Sequence, residues 1–142
     1  MTGRVRQASE ADIPEMMALR LSVGENRLSD PGQVTAEDCR RYVTRGHMWV
    51  WDQDGEILGI SAATFDTGWI WALFVRPGHE GRGIGRALFP AACDALIGAG
   101  FRTLHLCTDP DTRAARFYHA AGWREAGRTP EGELIFAFDV AM

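Results

Sequence analysis

The chain has 142 residues, 46% of them apolar and 24% charged, and a formal net charge of −4. That length fits one domain, residues 1–142, around a single core, and a mildly acidic chain without a basic tail gives no support to nucleic acid as a partner. All 15 basic residues are arginine, which excludes a phosphate-loop lysine, a Schiff-base lysine and any mechanism with an essential lysine.

In chain order, Arg4 to Ala8 reads as a short first strand. Ser9-Glu10-Ala11-Asp12 is a capping-box variant, with Ser9 as N-cap. Ile13, Met16, Met17, Leu19 and Val23 then give one apolar face to a helix ending near Gly24. A polar connection, Glu25 to Val34, leads to a second box at Thr35 and a short helix with Cys39, Tyr42 and Val43 inward and Gly46 as its stop. From His47 the pattern changes to period two. Met48 to Trp51 and Glu56 to Phe65 read as a hairpin over Asp52-Gln53-Asp54-Gly55, and Asp66-Thr67-Gly68 turns the chain into the apolar strand Trp69 to Val75.

A glycine-rich loop follows, Pro77 to Gly85, and a long helix opens at about Ile84 and runs to about Ala99. Pro90 inside it predicts a kink or an unpaired carbonyl at Arg86. Arg102 to Thr108 reads as a strand, Asp109 to Thr112 as a helix start and Arg113 to Ala121 as a short helix stopped by Gly122. Trp123 to Arg128 and Leu134 to Phe138 close the chain as a hairpin. The expected architecture is α/β: one mixed, mostly antiparallel sheet with helices on both faces.

The loop is the first feature that points to chemistry. A helix start leaves several backbone N–H groups without intrahelical partners and carries partial positive charge. Glycines at 81, 83 and 85 remove the Cβ atoms that would hold an anion away from those donors. The loop therefore reads either as a pyrophosphate cradle or as a tight strand-to-helix turn without a ligand. A dinucleotide fingerprint fails, because its third glycine falls on Leu88 or Arg86. His105, Cys107 and Asp109 alternate as a strand face does, and with no further ligand cluster they predict no metal site.

The element order and three motifs resemble the GNAT-type N-acetyltransferases. Leu73-Phe74-Val75-Arg76-Pro77 resembles the family's central strand end. Glu80-Gly81-Arg82-Gly83-Ile84-Gly85 resembles its acyl-CoA loop, with Glu80 where the family usually has Gln or Arg. Asp111-Thr112-Arg113-Ala114-Ala115-Arg116-Phe117-Tyr118 resembles its Asn-x-x-Ala-x-x-Phe-Tyr helix, with Asp111 in the place of Asn, where it also makes a good N-cap.

The resemblance implies acetyl-CoA as co-substrate, with no metal, and an acceptor that is a small-molecule or peptide amine. It implies that pantetheine pairs with the backbone of Leu73, Phe74 and Val75 where the sheet splays. Gly81, Arg82, Gly83, Ile84, Gly85 and Arg86 are then the cofactor loop, with Asp111 beside the cofactor arm. Glu80 is expected to point to solvent. Arg86 reads equally as a phosphate contact or a solvated helix residue. The family's general acid falls on Tyr118, a phenol able to donate to the leaving thiolate, and the acceptor pocket falls near Val23 to Ser29 and Asp66 to Trp71.

The general base has three candidates, Glu25, Asp66 and His105, each with an ordinary structural role beside it. Trp49, Trp51, Trp69 and Trp71 recur at period two, as core or as an acceptor-pocket lining. A non-catalytic acyl-CoA-binding or sensing module on the same fold is the alternative to an enzyme. Three scattered cysteines, no apolar signal core at the start and no apolar run of membrane-spanning length predict a cytoplasmic protein with no membrane partner. A homodimer is compatible with this reading.

Overall fold

Side chains on the middle strands divide between the two faces of the sheet, and that division decides the architecture. In the computed structural model, which describes residues 3–22 and 36–140, strand β3 (Glu56–Thr64) is buried from Ile57 to Ala63, the pattern of a strand covered on both faces. Ile57, Ile60 and Ala62 join Met48 and Val50 of β2 (Met48–Gln53) beneath α1 (Ile13–Ser22) and α2 (Ala36–Thr44). Leu58 points the other way, onto Ile84 and Leu88 of α3 (Ile84–Gly98).

The remaining elements are β1 (Gly3–Gln7), β4 (Trp69–Val75), β5 (Thr103–Thr108), α4 (Arg113–Ala120), β6 (Arg124–Arg128) and β7 (Leu134–Asp139). Among the described residues the strands form one seven-stranded sheet in the order β1-β2-β3-β4-β5-β7-β6. Neighbours are antiparallel except β4 and β5, which are parallel. Their crossover connection is α3, as parallel strands require. The expected mixed sheet with helices on both faces is therefore the observed one.

The local signals explain most boundaries. Asp54 (φ 54°) and Gly55 (φ 85°) make a two-residue hairpin turn with both centres left-handed, the geometry that Asp-Gly favours. The Ser9 N–H donates to Asp12 Oδ2 at 2.7 Å, so the first box forms, although it opens a 3₁₀ turn (Glu10–Asp12) ahead of α1. Arg6 then grips Asp12 at 2.8 and 3.0 Å and Asp52 at 2.9 Å, tying β1 to the helix start and to the β2 hairpin. The expected helix end at Gly24, the connection over Glu25 to Val34 and the Thr35 cap lie outside the described residues.

One cap differs from expectation. Asp111 is left-handed, with φ 58°, whereas an N-cap residue needs extended backbone. Thr112 has that backbone and is the N-cap of α4, its Oγ1 accepting from the Ala115 N–H at 3.1 Å. Asp tolerates the left-handed turn just before the cap.

Helix α3 lies close against the sheet because β3 offers it a glycine. A Cβ on Gly59 would stand 2.6 Å from Leu88 Cδ1 and 2.7 Å from Ile84 Cγ2. Nearby, the buried Ser61 Oγ donates to the Leu88 carbonyl at 3.0 Å. Pro90 is exposed and supplies no N–H to the Arg86 carbonyl, yet α3 continues unbroken to Gly98. Trp49 and Trp51, both half-buried, pack against the core on this same face.

Gly59→Ala is expected to overpack this contact and lower the unfolding free energy by about 1–3 kcal/mol, measured by urea denaturation. An unchanged midpoint would mean that α3 does not rest on this position.

Candidate active site

The site begins where β4 leaves β5. The two strands pair at Trp69↔His105 alone, with the His105 N–H donating to the Gly68 carbonyl at 3.2 Å. On the other edge of β4 the register shifts, since Ala62 faces Ala72 while Ala63 faces Ile70, so Trp71 is one residue extra. Such a bulge bends its strand and strengthens its twist. Beyond it β4 stays with β3 (Ser61↔Leu73, Ile60↔Phe74, Gly59↔Val75) and has parted from β5. The outer edge of Leu73 to Val75 therefore presents backbone donors and acceptors that no strand claims.

A cavity of about 430 Å³ opens against this edge. The residues expected to hold a ligand line it together: Leu73, Phe74, Val75, Gly81, Gly83, Ile84, Gly85, Arg86 and Tyr118. Two expected residues do not. Arg82 reaches back to His79 Nδ1 at 3.3 Å, and Asp111 sits in its left-handed turn ahead of the α4 cap. Arg113, from the first turn of α4, lines the cavity instead. It lies four residues before Phe117, so the helical repeat already placed it on that face.

Gly83 is the N-cap of α3, with φ 86°, a conformation that glycine adopts at no steric cost. It delivers the chain into the helix, whose first-turn residues Ile84, Gly85 and Arg86 line the cavity and whose first N–H groups have no intrahelical partners. Gly85 is different. Its φ is unremarkable, and a Cβ there would meet only Val75 Cγ2 at 3.8 Å, so the fold itself does not require glycine at this position.

Glu80 is exposed, and it is also engaged, which solvation alone did not predict. Its Oε1 accepts the Gly78 N–H at 2.9 Å. Its own N–H and that of Gly78 hold the carboxyl below the usual range, and the Arg113 charge adds to this. The side chain thus folds back on its own loop.

Tyr118 is 4% exposed. Its ring packs on Phe89 at 5.4 Å, Phe136 at 5.7 Å and Trp123 at 6.3 Å. Burial pushes the phenol well above the ordinary tyrosine value, with nearby Cys93 adding to the shift, so the hydroxyl is protonated at neutral pH. Burial likewise pushes the Cys93 thiol up to about 12, which makes it inert as a nucleophile.

Neither of the two described base candidates, Asp66 and His105, lines the cavity. Glu25 lies outside the described residues, and Asp66 is exposed in its turn. His105 stacks on Trp69 (5.0 Å, 19°) with its Nδ1 buried and without a hydrogen bond among the described residues. Among the described residues no group of His, Cys, Asp or Glu could hold a metal ion.

A parted strand pair, a glycine loop capping a helix and a buried tyrosine now stand around one cavity. A family model for the acetyltransferase (GNAT) family matches residues 13–123. The chain belongs to the GNAT acetyltransferase family. A mycothiol acetyltransferase from Beutenbergia cavernae is 34% identical over 113 residues, covering 71% of this chain and 36% of that protein. The chain thus spans little more than a third of that relative's length. The PaiA N-acetyltransferase from Thermoplasma acidophilum, in complex with coenzyme A, superposes with TM-score 0.80 at 13% identity, over 99% of this chain and 100% of that one. Ard1 from Thermoplasma volcanium superposes with TM-score 0.82 at 16% identity over 100% of both chains. At these identities the two structures establish the GNAT fold, and among the described residues no helix is long and apolar enough to cross a membrane.

Gly85→Ala separates the loop's two readings. Removing a helical glycine is expected to raise the unfolding free energy by up to about 1 kcal/mol, while the added methyl weakens coenzyme A binding measured by calorimetry. Equal affinity for both chains would leave the loop as a turn only.

Proposed function

We propose that this GNAT domain transfers an acetyl group from acetyl-CoA to a primary amine by direct attack, with Tyr118 as the general acid. The observation that carries the reading is geometric: Tyr118 lines the same cavity as the glycine loop and the unclaimed edge of β4, and burial holds its phenol in the protonated form. The coenzyme A complex of the Thermoplasma N-acetyltransferase supports the same cofactor and an amine acceptor.

The residues present fit the cofactor. An extended chain of amides suits the outer edge of Leu73 to Val75, in the manner of an added strand. The N–H groups at the start of α3 suit a diphosphate, with Arg86 placed for a charge-assisted contact. When bound, acetyl-CoA supplies an activated acyl carbon and a thiolate leaving group. The amine forms the new N–C bond, the C–S bond breaks, and the proton that the amine gives up balances the one the thiol gains. Tyr118 holds a proton at its hydroxyl for that exchange.

Burial has two effects on this proton. It keeps the phenol protonated at every physiological pH, and it makes the phenol a weaker acid than a thiol of pKa about 8.5. Tyr118 therefore donates a hydrogen bond to sulfur as the C–S bond lengthens, and the transfer completes together with proton loss from the amine. The acceptor, a small molecule or a peptide terminus, enters from the side of Asp66 to Trp71. The proposed setting is the cytoplasm.

The lack of a base beside Tyr118 among the described residues favours one second reading, a domain that binds acyl-CoA without transferring it. Tyr118→Phe distinguishes them. Coenzyme A affinity is expected to stay within about two-fold, while turnover with an amine panel, followed by thiol release, falls about 10²-fold or more. Unchanged turnover removes Tyr118 from the mechanism, and an unsubstituted chain that binds but acetylates no amine supports the binding module.

A further inference from the structure

The cofactor loop carries an ionised carboxylate at the mouth of a site whose proposed ligand is a polyanion. Glu80 lines the cavity and is exposed. Its contact with the Gly78 N–H holds it in the loop, so it remains near the phosphates as a fixed negative charge. A polyanion beside that charge needs cations to offset it; Arg86 of α3 lines the cavity, whereas Arg82 turns to His79.

We propose that Arg113 is a cofactor-binding residue, supplying the side-chain charge that offsets Glu80 and contacts a phosphate of coenzyme A. The inference rests on the acetyl-CoA reading above. Arg113 is the first residue of α4, and its place is fixed by the Thr112 cap. Its side chain reaches the loop, with Nη1 4.0 Å from the position that a Cβ on Gly81 would take. It lines the same cavity as Glu80 and Arg86, and its charge is felt at the Glu80 carboxyl. The first turns of α3 and α4 thus each bring one arginine to the cavity, and α4 meets the cofactor through Arg113 where Asp111 was expected.

Calorimetric titration of coenzyme A and of dephospho-coenzyme A into the full chain tests this, with Arg113→Ala, Arg113→Lys, Glu80→Gln and the Arg113→Ala/Glu80→Gln pair. Arg113→Ala is expected to weaken coenzyme A binding about ten-fold or more, with partial recovery in Arg113→Lys. Glu80→Gln keeps an acceptor for the Gly78 N–H and loses the charge. It is expected to tighten binding about three-fold, and more than that when Arg113 is absent, a non-additivity that marks coupled charges. A penalty equal for both ligands assigns Arg113 to the diphosphate, and one confined to coenzyme A assigns it to the 3′-phosphate. Binding by Arg113→Ala within about two-fold of the unsubstituted chain overturns the proposal and leaves the cofactor reading intact. No binding by the unsubstituted chain overturns both.

Discussion

The parting of β4 from β5 is the constraint on which the rest of this structure depends. Parallel neighbours ordinarily share a full ladder, and here the ladder stops after Trp69↔His105. The bulge at Trp71 turns β4 away while β3 keeps its grip through Gly59↔Val75. Backbone groups that stay unpaired cost free energy unless water or a ligand satisfies them. Opening the sheet therefore creates an extended polar edge in the middle of an otherwise closed fold. The other parts of the site are arranged along that edge: the loop at its far end, α3 beneath it, and the first turns of α4 across the gap.

Close packing holds this arrangement in place. Gly59 lets Ile84 and Leu88 settle onto β3, which sets the height of the α3 start against the strand edge. The aromatic cluster of Phe89, Trp123 and Phe136 around Tyr118 does the same for the phenol. It also excludes water, and the dry surroundings keep the proton on oxygen. Charge is handled differently at the other end of the cavity, where Glu80, Arg86 and Arg113 are exposed beside the glycine loop. One cavity thus runs from a buried aromatic end to an exposed, charged end.

Much of this was legible in the sequence, for reasons tied to particular residues. The hairpin at Asp54-Gly55, the glycine loop and the Phe117-Tyr118 pair are local signals, and local signals survive without tertiary context. Residue type does not decide the α4 cap, because Asp111 and Thr112 are both good caps and the choice rests on a backbone angle, φ 58° at Asp111. The sequence leaves Arg113 unassigned because a helical repeat gives a face and not the reach of a side chain. The same limit applies to Arg82, which turns to His79, and to Glu80, whose partner is the Gly78 N–H two residues back. The opening between β4 and β5 was legible only through the family resemblance, because strands separated by a 15-residue helix leave no local trace of how far they pair.

A crystal structure of the chain with coenzyme A bound tests the central claim most directly. The account predicts pantetheine amides hydrogen-bonded to the main chain of Leu73 to Val75, with the diphosphate over the N–H groups from Gly83 to Arg86. A cofactor bound elsewhere, with β4 and β5 paired along their full length, would contradict it.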